Sequence, residues 1–322
     1  MNRIRLACLA LAGLLGSSWA GSHAFVSSYQ GICDASAAVA LDADHFAVAD
    51  DEHNTLLVYR RGVPKPIGSL PLKDFLDTAK ESDLEGAATI AGVTYWIASH
   101  GRNADGELRK DRHRLFATEV VPGATPPTLR TVGQDHRHLL EDLKSAPALK
   151  PYAIEAASQR AAEAPGGLNI EGLAATPQGH LLIGFRNPIP AGGALVVPIE
   201  NPRELLSRKP AKLGKPIELP LDGRGIRSIE RVGSHYLVVA GPPADEGSFA
   251  LYRWSGKAGD KPVPLAVDLQ TLRPEALFQV PGTKSVQIHS DDGAVEVGGV
   301  KCKKLAQTQR SFRSITVELG PW

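Results

Sequence analysis

Three glutamates of the 322-residue chain, Glu85, Glu171 and Glu275, share one position of a repeated pattern, and Ser36 and Arg227 hold that position in two further copies. Two residues earlier stand Asp34, Asp83, Asn169, Gly225 and Arg273. Carboxylate and amide oxygens gathered at one point are what a hard cation takes, so Asp34, Asp83, Glu85, Asn169, Glu171 and Glu275 form a candidate calcium set. The same acids can instead pair with Arg186, Arg227 and Arg273 and lock neighbouring segments together, or they can line a ligand site that needs no metal. All three uses stay open at the level of sequence.

His100 and His289 end equivalent apolar runs, where an imidazole can act as a general base or as a hydrogen-bonded structural group. Arg102, Asn103, Arg186, Asn187, Arg227 and Arg273 are candidate ligand-binding residues, because guanidinium forks match carboxylate and phosphate oxygens. The basic run 109–114 reads as a solvated loop or as the entrance for an anion. The chain has no G-x-S-x-G elbow, H-E-x-x-H pair, P-loop or dinucleotide fingerprint, which argues against serine-hydrolase, zincin and nucleotide-driven chemistry. Lys and Arg number 36 against 35 Asp and Glu, without interleaved basic and aromatic residues, so nucleic acid is not an expected partner.

A repeat must position these groups. Its copies begin at Cys33, Ser82, Leu168, Arg224 and Leu272, and each continues into short apolar runs such as 95–99, 181–185 and 236–240. Runs of that length bounded by Gly, Pro and Asp are strands, and about fifty residues holding four of them make one propeller blade. Asp34, Asp83, Asn169, Gly225 and Arg273 follow one another at spacings of 49, 86, 56 and 48. The long interval accommodates an insertion at 133–168, rich in Ala, Leu and Glu, which reads as two short helices or hides a degenerate sixth blade. The expected fold is an all-β propeller of five four-stranded blades, six being possible, in a single domain over 21–322. Residues 24–29 supply the outer strand that the last copy lacks and so close the ring. Antiparallel neighbours put the start of each innermost strand and the end of the second at one rim. The acids, arginines and histidines gather on that rim, and the opposite rim carries ordinary turn residues.

Residues 1–20 read as a cleavable signal peptide cut after Ala20, with Arg3 and Arg5 ahead of an apolar run too short to span a bilayer. The expected location is therefore the periplasm or the exterior. Cys33 and Cys302 then remain as an even pair, which in an exported chain reads as a disulfide; two unpaired buried thiols are the alternative.

The segments 83–86, 99–103, 112–117, 168–174 and 182–188 resemble those of a bacterial exported family defined as a domain of unknown function. That resemblance covers essentially the mature chain and implies a propeller and export. The Glu-Gly strand starts also look like those of phytase-like esterase and gluconolactonase propellers, where acids at the channel mouth hold calcium; Ser36 and Arg227 break that acidic pattern in two copies. The leading expectation is a binding propeller that holds a small anionic ligand or a protein partner at the rim, with calcium as its candidate cofactor. The alternative is a metal-dependent hydrolase of phosphate esters or lactones, in which His100 or His289 moves protons and Arg102 or Arg186 holds the anion.

Overall fold

The computed structural model describes residues 26–50, 52–78, 80–244 and 247–320. The expected signal peptide and its cleavage site lie outside them. No helix among the described residues is long and apolar enough to cross a membrane.

Five four-stranded antiparallel sheets form a ring of blades. Blade 1 comprises Ala35–Ala40, His45–Asp50, Thr55–Arg60 and Gly68–Pro71. Blade 2 comprises Leu84–Ile90, Val93–Ala98, Leu115–Val120 and Leu129–His136, and blade 3 comprises Asn169–Ala175, Leu181–Asn187, Ala194–Ile199 and Ile217–Leu219. Gly225–Val232, His235–Gly241, Ala250–Trp254 and Val263–Leu265 make blade 4. Blade 5 takes Pro274–Gln279, Ser285–Ser290 and Ser311–Glu318 from the end of the chain and Val26–Gln30 from its start, with Tyr29 opposite Phe312. The first strand thus closes the ring, as the missing outer strand of the fifth copy required. The Cys33–Cys302 disulfide ties the same junction.

The apolar residues fall into five clusters, one between each pair of neighbouring blades. Both faces of a blade are therefore covered, which is why the second strands are near-continuous apolar runs and not alternating ones. The Glu-Gly pairs have a packing reason as well. A Cβ on Gly86 would lie 2.9 Å from Leu173 Cβ of blade 3, and one on Gly172 would lie 2.8 Å from Ile226 Cγ2 of blade 4.

The insertion forms no sixth blade. Residues 133–136 complete the outer strand of blade 2, so the expected boundary at 133 moves to the end of that strand. Beyond it come the helix Leu139–Ser145, the 3-10 turn Pro147–Tyr152 and the helix Ile154–Ala157. Leu139, Leu143, Leu149 and Ile154 of this segment are buried in the cluster between blades 2 and 3, so the insertion is part of the core.

Candidate functional site at the axial rim

Each inner strand slips by one residue against its neighbour at the same place. The slips fall between Ala35 and Ala37, Leu84 and Gly86, Ile170 and Gly172, Ile226 and Ser228, and Pro274 and Ala276. The residues left out of register are Ser36, Glu85, Glu171, Arg227 and Glu275. A bulge removes its residue from the ladder and re-aims the side chain, so one polar group per blade is freed at the same level of the ring.

Three of these side chains meet across blade boundaries. Arg227 Nε lies 3.0 Å from Glu171 Oε2, and the other side of its guanidinium pairs with Glu275. Arg186, from the second strand of blade 3, bonds Glu171 Oε1 at 2.9 Å and the Pro242 carbonyl at 3.2 Å. Asn169 Nδ2 donates to the same Glu171 oxygen at 2.8 Å, and Asn169 Oδ1 is buried without a hydrogen-bond partner among the described residues. Glu85 is the exception: among the described residues its carboxyl has neither a hydrogen bond nor an ion pair. Burial, then the like charges of Glu171 and Asp83, push Glu85 well above the usual carboxylate range, and Arg227 and Arg186 offset this only in part. The group is held toward its protonated, hydrogen-donating form.

The remaining acids are dispersed around the rim. Asp83, at φ 57°, takes Arg112 Nη1 at 2.8 Å. Asp34 faces Asp291, with which it forms an isolated bridge and a carboxyl–carboxyl hydrogen bond; burial and then Asp291 push Asp34 up to about 9. Gly293 makes room for that pair, since a Cβ there would overlap Asp34 Oδ1. Among the described residues no three His, Cys, Asp or Glu side chains surround a point that a metal ion could occupy. Of the six candidate calcium ligands, Glu171 and Glu275 are taken up by guanidinium groups, Asp83 by Arg112 and Asp34 by a second carboxyl. This donor arrangement does not fit a resident calcium ion.

The histidines expected at the rim are both sealed. His100, 1% exposed, donates from Nδ1 to the Ala98 carbonyl at 2.7 Å and stacks on His113. His289 is fully buried among Phe46, Phe278 and Phe312, with ring centroids 5.2–5.4 Å away. Burial brings each imidazole down to about 3, so both are neutral. Neither touches a rim carboxylate or arginine.

Several expected ligand-binding residues fasten the insertion instead. Arg102 Nε donates to the Ser158 carbonyl at 2.9 Å and Nη2 to Gln159 Oε1 at 2.8 Å. Asn187 Nδ2 reaches the carbonyls of Ala162 and Ala164, and Asn103 closes its own loop onto Glu107. Glu163 of the insertion binds Arg186 at 3.2 Å, a contact that no motif in the sequence marks. Arg273 differs from Arg102, Arg186 and Arg227: half-buried at the start of the blade 5 inner strand, its guanidinium has no ion pair among the described residues. Its backbone is pinned on both sides, the N–H by Ser290 Oγ and the carbonyl by the N–H of Asp291.

Five blades, a polar axial rim and a ring sealed by both ends of the chain define a β-propeller. The chain belongs to the family described as protein of unknown function (DUF3616), whose model matches residues 122–290. No curated protein matches the sequence. Among solved structures, the chain is similar to a protein from Thermus thermophilus named as a putative oxidoreductase (glucose dehydrogenase), at 14% identity and a TM-score of 0.48 over 91% of this chain and 100% of that one. It is also similar to the PQQ-bound aldose sugar dehydrogenase of Streptomyces coelicolor, at 12% identity and a TM-score of 0.44 over 92% and 100% of the two chains. Virginiamycin B lyase from Staphylococcus aureus is 8% identical, with a TM-score of 0.41 over 91% and 99%.

Proposed function

We propose that this protein is an exported binding propeller that takes a small anionic ligand at the axial rim. The observation that carries this reading is Arg273, a half-buried guanidinium with no acid opposite it among the described residues, while Arg102, Arg112, Arg186 and Arg227 are engaged inside the fold. A guanidinium in that state is a ready partner for a carboxylate or phosphate. Glu85, held toward its protonated form, supplies a donor that such an anion can use. Export is supported by the Cys33–Cys302 bridge, since disulfides persist in oxidising compartments.

The test is isothermal titration of the full chain with phosphate, citrate and gluconate, for the wild type and for Arg273→Gln. At least one of these anions is expected to bind, with its affinity lowered tenfold or more in the variant, about 1.4 kcal/mol or more, while the unfolding temperature is unchanged. Binding that survives Arg273→Gln, or none of the three anions binding the wild type, overturns the proposal.

A further inference from the structure

The cavity along the propeller axis opens at the opposite rim, where the sequence shows only turns. It holds about 330 Å³ and is walled by the far ends of all five inner strands, through Val39, Thr89, Ala175, Glu230 and Phe278. That volume is at the lower end of the range for small-molecule sites. The walls are polar and apolar in about equal measure, and Glu230 is the one acid among them. The N–H groups of Gln279 and Arg231 favour the ionised form of its carboxyl. Arg231 is the other charged residue of the lining; its guanidinium donates to the Gly233 carbonyl at 3.0 Å, and its charge favours the ionised form of Glu230. A chamber with apolar wall at Val39, Ala175 and Phe278 and a single acid complements a small organic cation.

We propose that this second mouth is a binding site for a small primary amine in its ammonium form, with Glu230 as the counter-charge and the apolar walls taking the alkyl body. The site is separate from the Arg273 rim, and neither reading depends on the other. Without a ligand, burial lifts Glu230 to about 8, so at neutral pH the acid is largely protonated. An ammonium group must displace that proton. Affinity therefore rises with pH by up to about tenfold per unit below pH 8 and levels off above it.

The probes are methylammonium, butylammonium, butanol and butyrate, titrated into the full chain at pH 6, 7, 8 and 9. Butylammonium is expected to bind more tightly than methylammonium, to follow that pH profile, and to lose at least tenfold in affinity in Glu230→Gln. Equal binding of butanol, preferred binding of butyrate, a flat pH profile, or no binding by any probe each overturns the assignment. A second measurement covers failure of the variant to fold: in the wild type, saturating butylammonium should lower the ionisation midpoint of the Glu230 carboxyl, followed by carbon NMR. An unmoved midpoint also overturns it.

Discussion

Burial and the neighbouring Asp291 hold Asp34 toward its protonated form where the ring closes, and that shift has a sign. The folded Asp34 titrates at about 9 and an unfolded aspartate near its ordinary value of 3.8, so between those values the native state holds a proton that the unfolded chain has lost. Stability is then greatest at the acid end of that window and falls as pH rises through it, by up to about 1.4 kcal/mol per pH unit from this site. Asp34→Asn keeps a donor toward Asp291 without the titration. Urea denaturation of wild type and variant from pH 5 to 9 should show curves that converge at the acid end and separate as pH rises, the variant being the more stable at pH 8; parallel curves would refute the raised titration of Asp34. His100 and His289 teach the complementary lesson. Their strand-end positions are legible in the repeat, but whether such a side chain faces the rim or a neighbouring blade depends on rings from distant segments.

At the scale of the strand, the aligned bulge is the device that turns a repeat into a site. Each blade contributes its out-of-register residue, and the glycine after Glu85 and Glu171 lets the next blade approach closely enough for those residues to meet. Gly172→Ala puts a Cβ 2.8 Å from Ile226 Cγ2 and 3.1 Å from the Gly184 Cα, and is expected to destabilise the fold by about 1–3 kcal/mol through overpacking. Gly68→Ala, where the nearest atom is Val58 Cβ at 3.7 Å, serves as the control and should stay within about 0.5 kcal/mol. Thermal unfolding of both variants checks the difference, and equal shifts would mean that the Glu-Gly pair has no packing role. The insertion works at the same scale. Its leucines complete the core between blades 2 and 3, and Arg102 and Asn187 hold its end over Arg186, so residues expected to bind a ligand serve as fasteners.

Across the whole molecule, closure is both covalent and non-covalent. Val26–Gln30 pairs with Ser311–Glu318, and the Cys33–Cys302 bridge spans 269 residues. In the chain-entropy view a loop of that length contributes about 5 kcal/mol as an upper bound. Replacing both cysteines with serine should lower the urea midpoint substantially while leaving the blade circular-dichroism signature intact under native conditions. An unchanged midpoint would show that strand pairing alone seals the ring. The four-stranded blade repeat, the strand order, the closing strand, the helical character of the insertion and the cysteine pair were legible in the sequence, while five blades against six was left to the structure. Each follows from a local pattern: short apolar runs between turn residues, a period near fifty, and strands apolar on both faces because neighbouring blades cover both. Only the tertiary structure decided which acid meets which arginine, that both histidines are sealed, that Glu85 and Arg273 have no ionic partner among the described residues, and that the axial cavity opens beside Glu230 at the other mouth. Those outcomes depend on side chains brought together from different blades, on the turn each bulge imposes, and on the volume left at the axis, none of which a local pattern encodes.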